Sequence, residues 1–422
     1  MLFLLAIILT FVLLYSVWTK EYAYLSCFAL IYPIIITVSL FTGGDETKQT
    51  QTVIVFALFI LLLALKFPPN SYSCSLYYRS PVTLTIVGFV FVVLLHDYFI
   101  SPYFEFHTKE MFKNETSILS NIIVPYLLVP CLLNKRNEIR SFTNAIVLWS
   151  LFLIFEIVYV FGFNQKLFSD RMLFGTISEG LLNAITLSRF AALFLILATL
   201  RIFSKKDRSS LPISIGLFGL ATISLLISGQ RGTIIGVFLG LSMLLFQPQW
   251  RKRILYIVPI LLLLVLITSF IKFGVYERFE EFEDIRQLER FKDFSKVYAI
   301  FDRNDLIWGL GSMGYFWETG RTYPHNIILE HISSYGLLGL VCILSIVYYG
   351  FKTSIHIIKY SNNYHDYFYA CCWVMLLFSA LVSSGINAHR VLYLFSGILM
   401  LIYNDMRYST LADEILIEET DE

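Results

Sequence analysis

Long apolar runs separated by short polar segments make up most of the chain. A helix that spans a membrane needs about 20 mostly apolar residues. Several runs are somewhat shorter, which is typical of tilted or partly buried segments. The pattern predicts an all-α fold, a polytopic membrane helix bundle of twelve or thirteen transmembrane helices, at 2–18, 22–41, 52–67, 81–100, 118–133, 142–163, 186–203, 212–228, 233–247, 254–271, 335–351, 367–384 and 391–404.

One polar segment, residues 272–334, interrupts this pattern and contains eleven acidic and eight basic residues. We therefore predict four regions along the chain. Residues 1–271 supply transmembrane helices 1–10, and residues 272–334 form a large loop that contains helices of its own. Residues 335–404 supply helices 11–13, and residues 405–422 form an acidic tail.

Positive charges in the short loops predict how the bundle is oriented. Loops on the cytoplasmic side of a membrane carry an excess of lysine and arginine. The short basic loops all fall on one side of the predicted bundle, at Lys20, Lys66, Arg79, Lys135, Arg136, Arg140, Lys205, Lys206, Arg208, Arg251, Lys252, Arg253, Lys352, Lys359 and Arg407. The N-terminus and the large loop are therefore predicted to face outward, and the C-terminus to face the cytoplasm.

Composition agrees with a protein whose main surroundings are membrane lipids. Of the residues, 57% are hydrophobic and only 15% are charged, whereas soluble domains have about 25% charged residues. The net charge of +1 gives no sign of a nucleic-acid partner. None of the six cysteines has metal-type spacing with a histidine, so we predict no metal site.

The first part of the large loop is predicted to be helical. Apolar residues recur there at every third position, and a straight helix advances 300° in three residues, so this stripe winds backwards around the axis. Either the helix breaks or it contacts different surfaces along its length. Arg286 and Arg290 stand one turn apart, with Asp293 next along the same face. The stripe consists of Phe279, Phe282, Ile285, Leu288, Phe291, Phe294 and Val297.

The second part of the loop combines glycines with aromatic residues. Gly309, Gly311 and Gly314 predict an irregular, tightly turning segment. Aromatic rings at a membrane edge are commonly interfacial anchors, and they can also stack on sugar rings. Trp317 and Tyr323 are the candidates for such stacking, and Arg321 between them is a candidate substrate-binding residue.

Polar residues at the end of the loop run directly into an apolar helix. Pro324 suits the first turn of that helix, since its missing N–H would be unpaired there. His325 would then lie at the positive end of the helix dipole, which favours a neutral imidazole that can accept a proton. His325 and His331 do not share a helical face, whereas Gly336 and Gly339 do and would allow close helix packing.

A second polar feature lies between two apolar spans, in the sequence Ser228-Gly229-Gln230-Arg231-Gly232. An arginine at the end of a span can extend to lipid headgroups. An arginine retained in so short a turn also suggests an anionic partner, because planar guanidinium donors match phosphate oxygens in pairs. Arg189 also falls near an outward end, where Glu156 is an alternative partner for it.

These residues resemble the O-antigen ligase and polymerase family. His325, Asn326, Gly336 and Gly339 match the family's histidine motif. In that family one arginine lies between two spans, as Arg231 does, and a second precedes the histidine in the large periplasmic loop. Arg290 is the best match for the second arginine, and Arg286 is the alternative because the two share a face. The resemblance covers roughly residues 186–404.

The resemblance implies a bacterial inner-membrane glycosyltransferase of the GT-C-like type, inverting and independent of metals or other cofactors. Its donor would be a glycan on undecaprenyl pyrophosphate, and catalysis would involve His325, Arg231 and Arg290 at the periplasmic face. Asn326 would orient the histidine or an acceptor sugar, and Arg286, Arg189, Arg321, Trp317 and Tyr323 would contact the substrate. A separate chain-length regulator is a candidate partner.

The acceptor distinguishes three hypotheses. A polymerase passes the growing chain to a new lipid-linked repeat unit, and the segment GLGSMGYF before Pro324 looks more like this branch. A ligase passes the glycan to lipid A core in lipopolysaccharide biosynthesis. A lipid-linked oligosaccharide transporter would make no bond. Such proteins tend to have internal repeats and ionisable residues at the membrane midplane, whereas this sequence shows no repeat and its polar residues gather at one outer edge.

Overall fold

Helices account for all the regular structure in the described residues, which confirms the all-α prediction. The structure is a computed structural model, and it describes residues 76–100, 122–123, 125–127, 129, 133, 138–140, 142–143, 184–204, 211–227, 230–257, 259, 289–303, 307–312, 314–321, 323–382 and 389–420. The principal helices are α1 (Pro81–Leu95), α2 (Ala184–Phe203), α3 (Leu211–Ile227), α4 (Arg231–Ser242), α5 (Glu289–Arg303), α6 (Gly314–Thr319), α7 (Ile327–Tyr360), α8 (Tyr364–Val382) and α9 (Arg390–Thr420).

Several of these helices have the length and apolarity of membrane spans. Among the described residues, three meet both requirements, at Pro81–Ile100, Ile327–Tyr360 and Tyr364–Val382. The segments Leu211–Leu225 and Gly232–Phe246 are shorter apolar helices. The chain is therefore a helical membrane protein. The predicted spans at 2–18, 22–41 and 52–67, and most of those at 118–133, 142–163 and 254–271, lie outside the described residues.

Contacts group the described residues into two compact units. The first unit contains α2, α3, α4 and the start of α8, up to Met375. Within it, α2 packs on α3 and α4, and the hydroxyls of Ser188 and Thr233 are hydrogen-bonded at 2.9 Å. A Cβ on Gly236 would lie 2.9 Å from the backbone oxygen of Met375, so α4 approaches α8 as closely as small residues allow.

The second unit contains α1, α5, α6, α7, the end of α8 and α9. Here α7 packs against α1 and α9, while α5 and α6 pack on α7. A small apolar core joins α5 and α6 to the first turn of α7, and consists of Val297, Ile300, Leu310, Tyr315 and Leu329. The loop helices are thus a packed part of this unit.

Helix α7 is kinked near its beginning. Its 34 residues would extend roughly 50 Å if straight, which exceeds the hydrocarbon thickness of about 30 Å. Tyr335 (φ −131°) and Gly336 (φ 56°, ψ −145°) leave helical geometry. The predicted packing face of Gly336 and Gly339 is therefore wrong. Gly336 makes the kink, and a Cβ on Gly339 would contact His331 and Tyr335 of the same helix.

The glycine-rich segment Gly309–Ser312 supplies hydrogen bonds to this kink. A break in a helix removes the usual donors from the carbonyls that precede it, and buried carbonyls need other partners. The backbone N–H of Leu310 donates to Ser333 O at 3.0 Å, and that of Gly311 donates to Ser334 O at 2.7 Å. Gly309 (φ 76°) and Gly311 (φ 88°) have left-handed backbones, in agreement with the tight turn predicted from sequence.

The end of α1 holds the other side of the same segment. After Leu95 the helix continues as a π-helical turn, His96–Ile100. The His96 Nε2–H donates to Gly309 O at 3.2 Å, and Asp97 Oδ1 accepts from the Ser312 N–H at 2.9 Å. Both side chains are fully buried. The segment Gly309–Ser312 is therefore hydrogen-bonded to both α1 and α7.

We expect Gly309→Ala to destabilise the protein more than Gly320→Ala does. Both glycines have positive φ, but a Cβ at Gly309 would lie 2.5 Å from Gly336 N, whereas one at Gly320 would have nothing within 4 Å. The left-handed strain of about 1–2 kcal/mol is common to both, and the clash should add about 1–3 kcal/mol. Thermal unfolding of the purified proteins in detergent measures the difference. Equal melting temperatures would contradict the close packing.

Candidate functional site

Helix α5 buries a face that differs from the predicted one. Asp293 is 0% exposed, Val297 2% and Ile300 6%, whereas Phe294 is 50% exposed. This spacing follows the ordinary helical repeat of 3.6 residues, so the every-third-residue stripe does not continue through α5. An acidic residue takes the buried position because it has partners there. Arg290 lies in the first turn of α5, and Arg286 lies outside the described residues.

The carboxylate of Asp293 joins three elements of the loop. Its Oδ1 accepts a hydrogen bond from Tyr315 Oη at 2.9 Å and another from Arg321 Nη1 at 3.2 Å. The second contact is also an ion pair in which the Arg321 side chain is 30% exposed. Asp293 Oδ2 is buried and accepts no hydrogen bond from the described residues. The charge that α5 buries is thus compensated from α6 and from the segment after it.

Tyr315 acts as a hydrogen-bond donor in this cluster. Burial raises the pKa of its phenol, and the hydrogen bond to the Asp293 carboxylate raises it further. Both effects favour the protonated hydroxyl. Tyr315 therefore keeps its proton at ordinary pH and suits a fixed contact better than proton transfer.

His325 has an unusual backbone. Its φ of 51° makes it the one residue other than glycine with positive φ in the described part of the chain. Such a conformation costs about 1–3 kcal/mol and is found disproportionately at functional sites. The imidazole is half-buried and meets the edge of the Tyr323 ring, with centroids 4.8 Å apart. The fold therefore holds the backbone of His325 in a conformation that free peptides avoid.

The beginning of α7 corrects one detail of the sequence analysis. Pro324 and His325 precede the helix, and Asn326 is its N-cap. The prediction that Pro324 lies in the first turn of this helix is therefore wrong. A capping asparagine takes precedence because its side chain satisfies N–H groups that the helix leaves unpaired. His325 still lies beside the positive end of α7, and its neutral state remains a prediction.

Asn326 makes three hydrogen bonds within the second unit. Its Oδ1 accepts from Ile328 N at 2.9 Å and from Leu329 N at 3.1 Å. Its Nδ2 donates to Leu381 O at 2.9 Å, near the end of α8. These bonds give Asn326 a structural role, because they fix the backbone immediately after His325. A contact with an acceptor sugar remains a prediction.

The other predicted site residues divide between the two units. Arg231 is the first residue of α4, and Arg189 is a buried residue of α2, so both belong to the first unit. Arg290 and His325 belong to the second unit, as does Trp317, which is 43% exposed beside Phe316. Convergence of these arginines and the histidine remains a prediction. Glu156 lies outside the described residues.

His96 and Asp97 were missed by the sequence analysis. They fall within the predicted span 81–100, where ionisable residues are costly and usually functional. That location was the signal which could have identified them. Their bonds to Gly309 and Ser312 hold the loop that leads to His325.

His331 also has a structural explanation. It is fully buried, its Nδ1–H donates to Ile327 O at 2.7 Å, and its ring stacks on Phe89 with centroids 4.8 Å apart. Within the described ranges no three His, Cys, Asp or Glu side chains come together as metal ligands do.

The described features define a class, a helical membrane protein in which a packed loop presents a strained histidine before a kinked helix. Comparison with known families narrows that class. The model of the O-antigen ligase family matches residues 215–344, a range that includes Arg231, Arg290 and His325. The match confirms the resemblance to the O-antigen polymerase and ligase family over this part of the chain. The chain matches no curated protein.

We expect Asn326→Ala to loosen the beginning of α7. Loss of an N-cap side chain costs about 0.5–2 kcal/mol, so the amides of Ile328 and Leu329 should exchange their hydrogens faster. Asn326→Ser is the matched control, because serine keeps a capping oxygen and loses only the bond to Leu381. Hydrogen exchange followed by mass spectrometry measures both variants. Unchanged exchange in the alanine variant would refute the capping role.

Proposed function

We propose that the protein is a membrane glycosyltransferase that polymerises polysaccharide repeat units. It moves a glycan from polyprenyl pyrophosphate to the sugar of another lipid-linked repeat unit, with inversion at the anomeric carbon. The reaction takes place at the periplasmic face of the bacterial inner membrane. The observation that carries this proposal is the strained backbone of His325, a residue that lies within the range of the family match.

In the proposed reaction, the acceptor hydroxyl attacks the anomeric carbon of the donor. A new C–O bond forms as the bond to the pyrophosphate breaks, and the departing electron pair leaves as negative charge on the lipid pyrophosphate. His325 accepts the proton of the hydroxyl. A neutral imidazole has a pKa suited to this step near neutral pH, and the half-buried ring beside Tyr323 is compatible with it.

Arginines supply the positive charge for the leaving group. Fixed guanidinium groups stabilise charge that develops in a transition state. Arg231 and Arg290 have this role in the proposal, and Arg286, Arg189 and Arg321 assist in binding the substrate. Arg231 begins α4, and the first-turn amides of a helix favour an anion. Trp317 and Tyr323 would stack on sugar rings, and Asn326 would orient the acceptor.

Ligase activity is the second candidate. The matching family carries the description of an O-antigen ligase, and a ligase would use the same donor, leaving group and base. Only the acceptor differs, since a ligase transfers the glycan to lipid A core.

The proposal also orients the N-terminus outward and the C-terminus to the cytoplasm. A chain-length regulator is a candidate partner.

We expect His325→Ala and Arg231→Ala to abolish long-chain glycan while the protein still inserts into the membrane. The first change removes the base and the second removes a charge that stabilises the leaving group. A glycan gel of cells that carry each variant in place of the wild type measures the chain length.

Two substitutions serve as matched controls. His356→Ala removes a histidine that packs on Tyr360 and Tyr403, and Arg251→Ala removes an exposed arginine. Both should leave chain length unchanged. Wild-type chain lengths in the His325 and Arg231 variants would overturn the assigned site.

Deletion of the protein separates the two candidate functions. Without a polymerase, acceptors carry single repeat units, because ligation continues while elongation stops. Without a ligase, full-length polymer remains on its lipid carrier. We expect single repeat units on the gel, and accumulation of carrier-bound polymer would instead identify a ligase.

A further inference from the structure

Asp293 is close in sequence to one predicted catalytic residue of the second unit and contacts a residue close in sequence to the other. It follows Arg290 by one turn of α5, and its partner Arg321 precedes His325 by four residues. A single carboxylate oxygen contacts both Tyr315 of α6 and Arg321. The helix that carries Arg290 and the segment that leads to His325 therefore share one buried anchor.

The position of this anchor is costly on stability grounds. Removing a carboxylate and a guanidinium from water has a large desolvation cost, and apolar residues in place of a buried ion pair are often as stabilising or more so. Asp293 is 0% exposed, and it shares its face of α5 with Val297 and Ile300, which belong to the apolar core. The charge of Asp293 is thus better explained by the positions in which it holds Tyr315 and Arg321.

The ion pair restricts one end of the Arg321 guanidinium. The long arginine side chain has many rotamers, and fixing Nη1 on Asp293 Oδ1 removes much of that freedom before any ligand binds. The Tyr315 hydroxyl fixes the carboxylate in turn. Preorganised donors bind better because less ordering remains for the binding step.

We propose that Asp293 is a positioning residue that orients Arg321 toward the pyrophosphate of the donor. This inference rests on the proposed function, in that it assigns the control of donor binding to a residue outside the reacting groups. Asp293 itself does not contact the substrate.

Kinetics with a lipid-pyrophosphate-linked glycan as donor test the inference. Asp293→Asn keeps the shape and an acceptor oxygen but removes the charge. Because hydrogen bonds to charged groups are stronger than those between neutral groups, we expect the donor KM to rise about tenfold with kcat changed less than about threefold. Glu318→Gln makes the same chemical change on the exposed face of α6 and should leave both constants unchanged.

A double-mutant cycle separates positioning from general stability. If Asp293 acts through Arg321, the variant Asp293→Asn/Arg321→Ala should have the donor KM of Arg321→Ala alone, because coupled effects do not add. Multiplied effects would overturn the inference. If Asp293→Asn does not fold, Tyr315→Phe decides, since it removes only the hydroxyl that fixes the carboxylate and should raise KM in the wild type but not in Arg321→Ala.

The outcomes also separate the inference from the function on which it rests. An active wild type whose Asp293→Asn and Tyr315→Phe variants keep the wild-type donor KM overturns the inference alone. A purified wild type that forms no glycosidic bond from lipid-linked donors overturns the proposed function and the inference with it.

Discussion

Backbone hydrogen bonds at the kink of α7 hold the described loop to its helix. When Tyr335 and Gly336 leave helical geometry, the carbonyls of Ser333 and Ser334 accept from Leu310 and Gly311. Backbone groups buried without partners are costly, so the kink and the glycine segment require each other. Between these two features the chain contains the strained His325, the capping Asn326 and the first turns of α7.

Two buried carboxylates stabilise the loop in a similar way. Asp97 binds the amide of Ser312 from the end of α1, and Asp293 binds Tyr315 and Arg321 from α5. Each carboxylate is fully buried, where it attracts donors more strongly than it would in water. The contact of Asp97 fixes the glycine-rich segment Gly309–Ser312, and the contacts of Asp293 fix α6 and the segment after it.

Sequence patterns predicted the helical class well and the local geometry less well. Apolar runs located α2, α3, α8 and much of α7, since the length of a span is set by membrane thickness. The glycines predicted the turn at 309–311. Periodicity failed in α5 because a buried aspartate breaks the apolar pattern, and what buries it is a tertiary contact with Arg321.

The start of α7 was also predicted imperfectly. Pro324 and Asn326 both suit a helix beginning, and only the backbone geometry identifies which residue caps it. The left-handed backbone of His325 had no sequence signal, because the strain is imposed by the neighbouring structure. Arg231 and His325 were identified through a family resemblance, and their mutual geometry depends on long-range packing that local patterns do not encode.

The contacts of His96 and Asp97 have a consequence for biogenesis. Their partners are 213 and 215 residues later in the chain, so translation at roughly 5–20 residues per second leaves both side chains waiting for roughly 10–40 seconds. During that interval an ionisable pair at the end of an inserted span depends on water, lipid headgroups or a chaperone for its hydrogen bonds. Closure of the second unit is therefore a late event in synthesis.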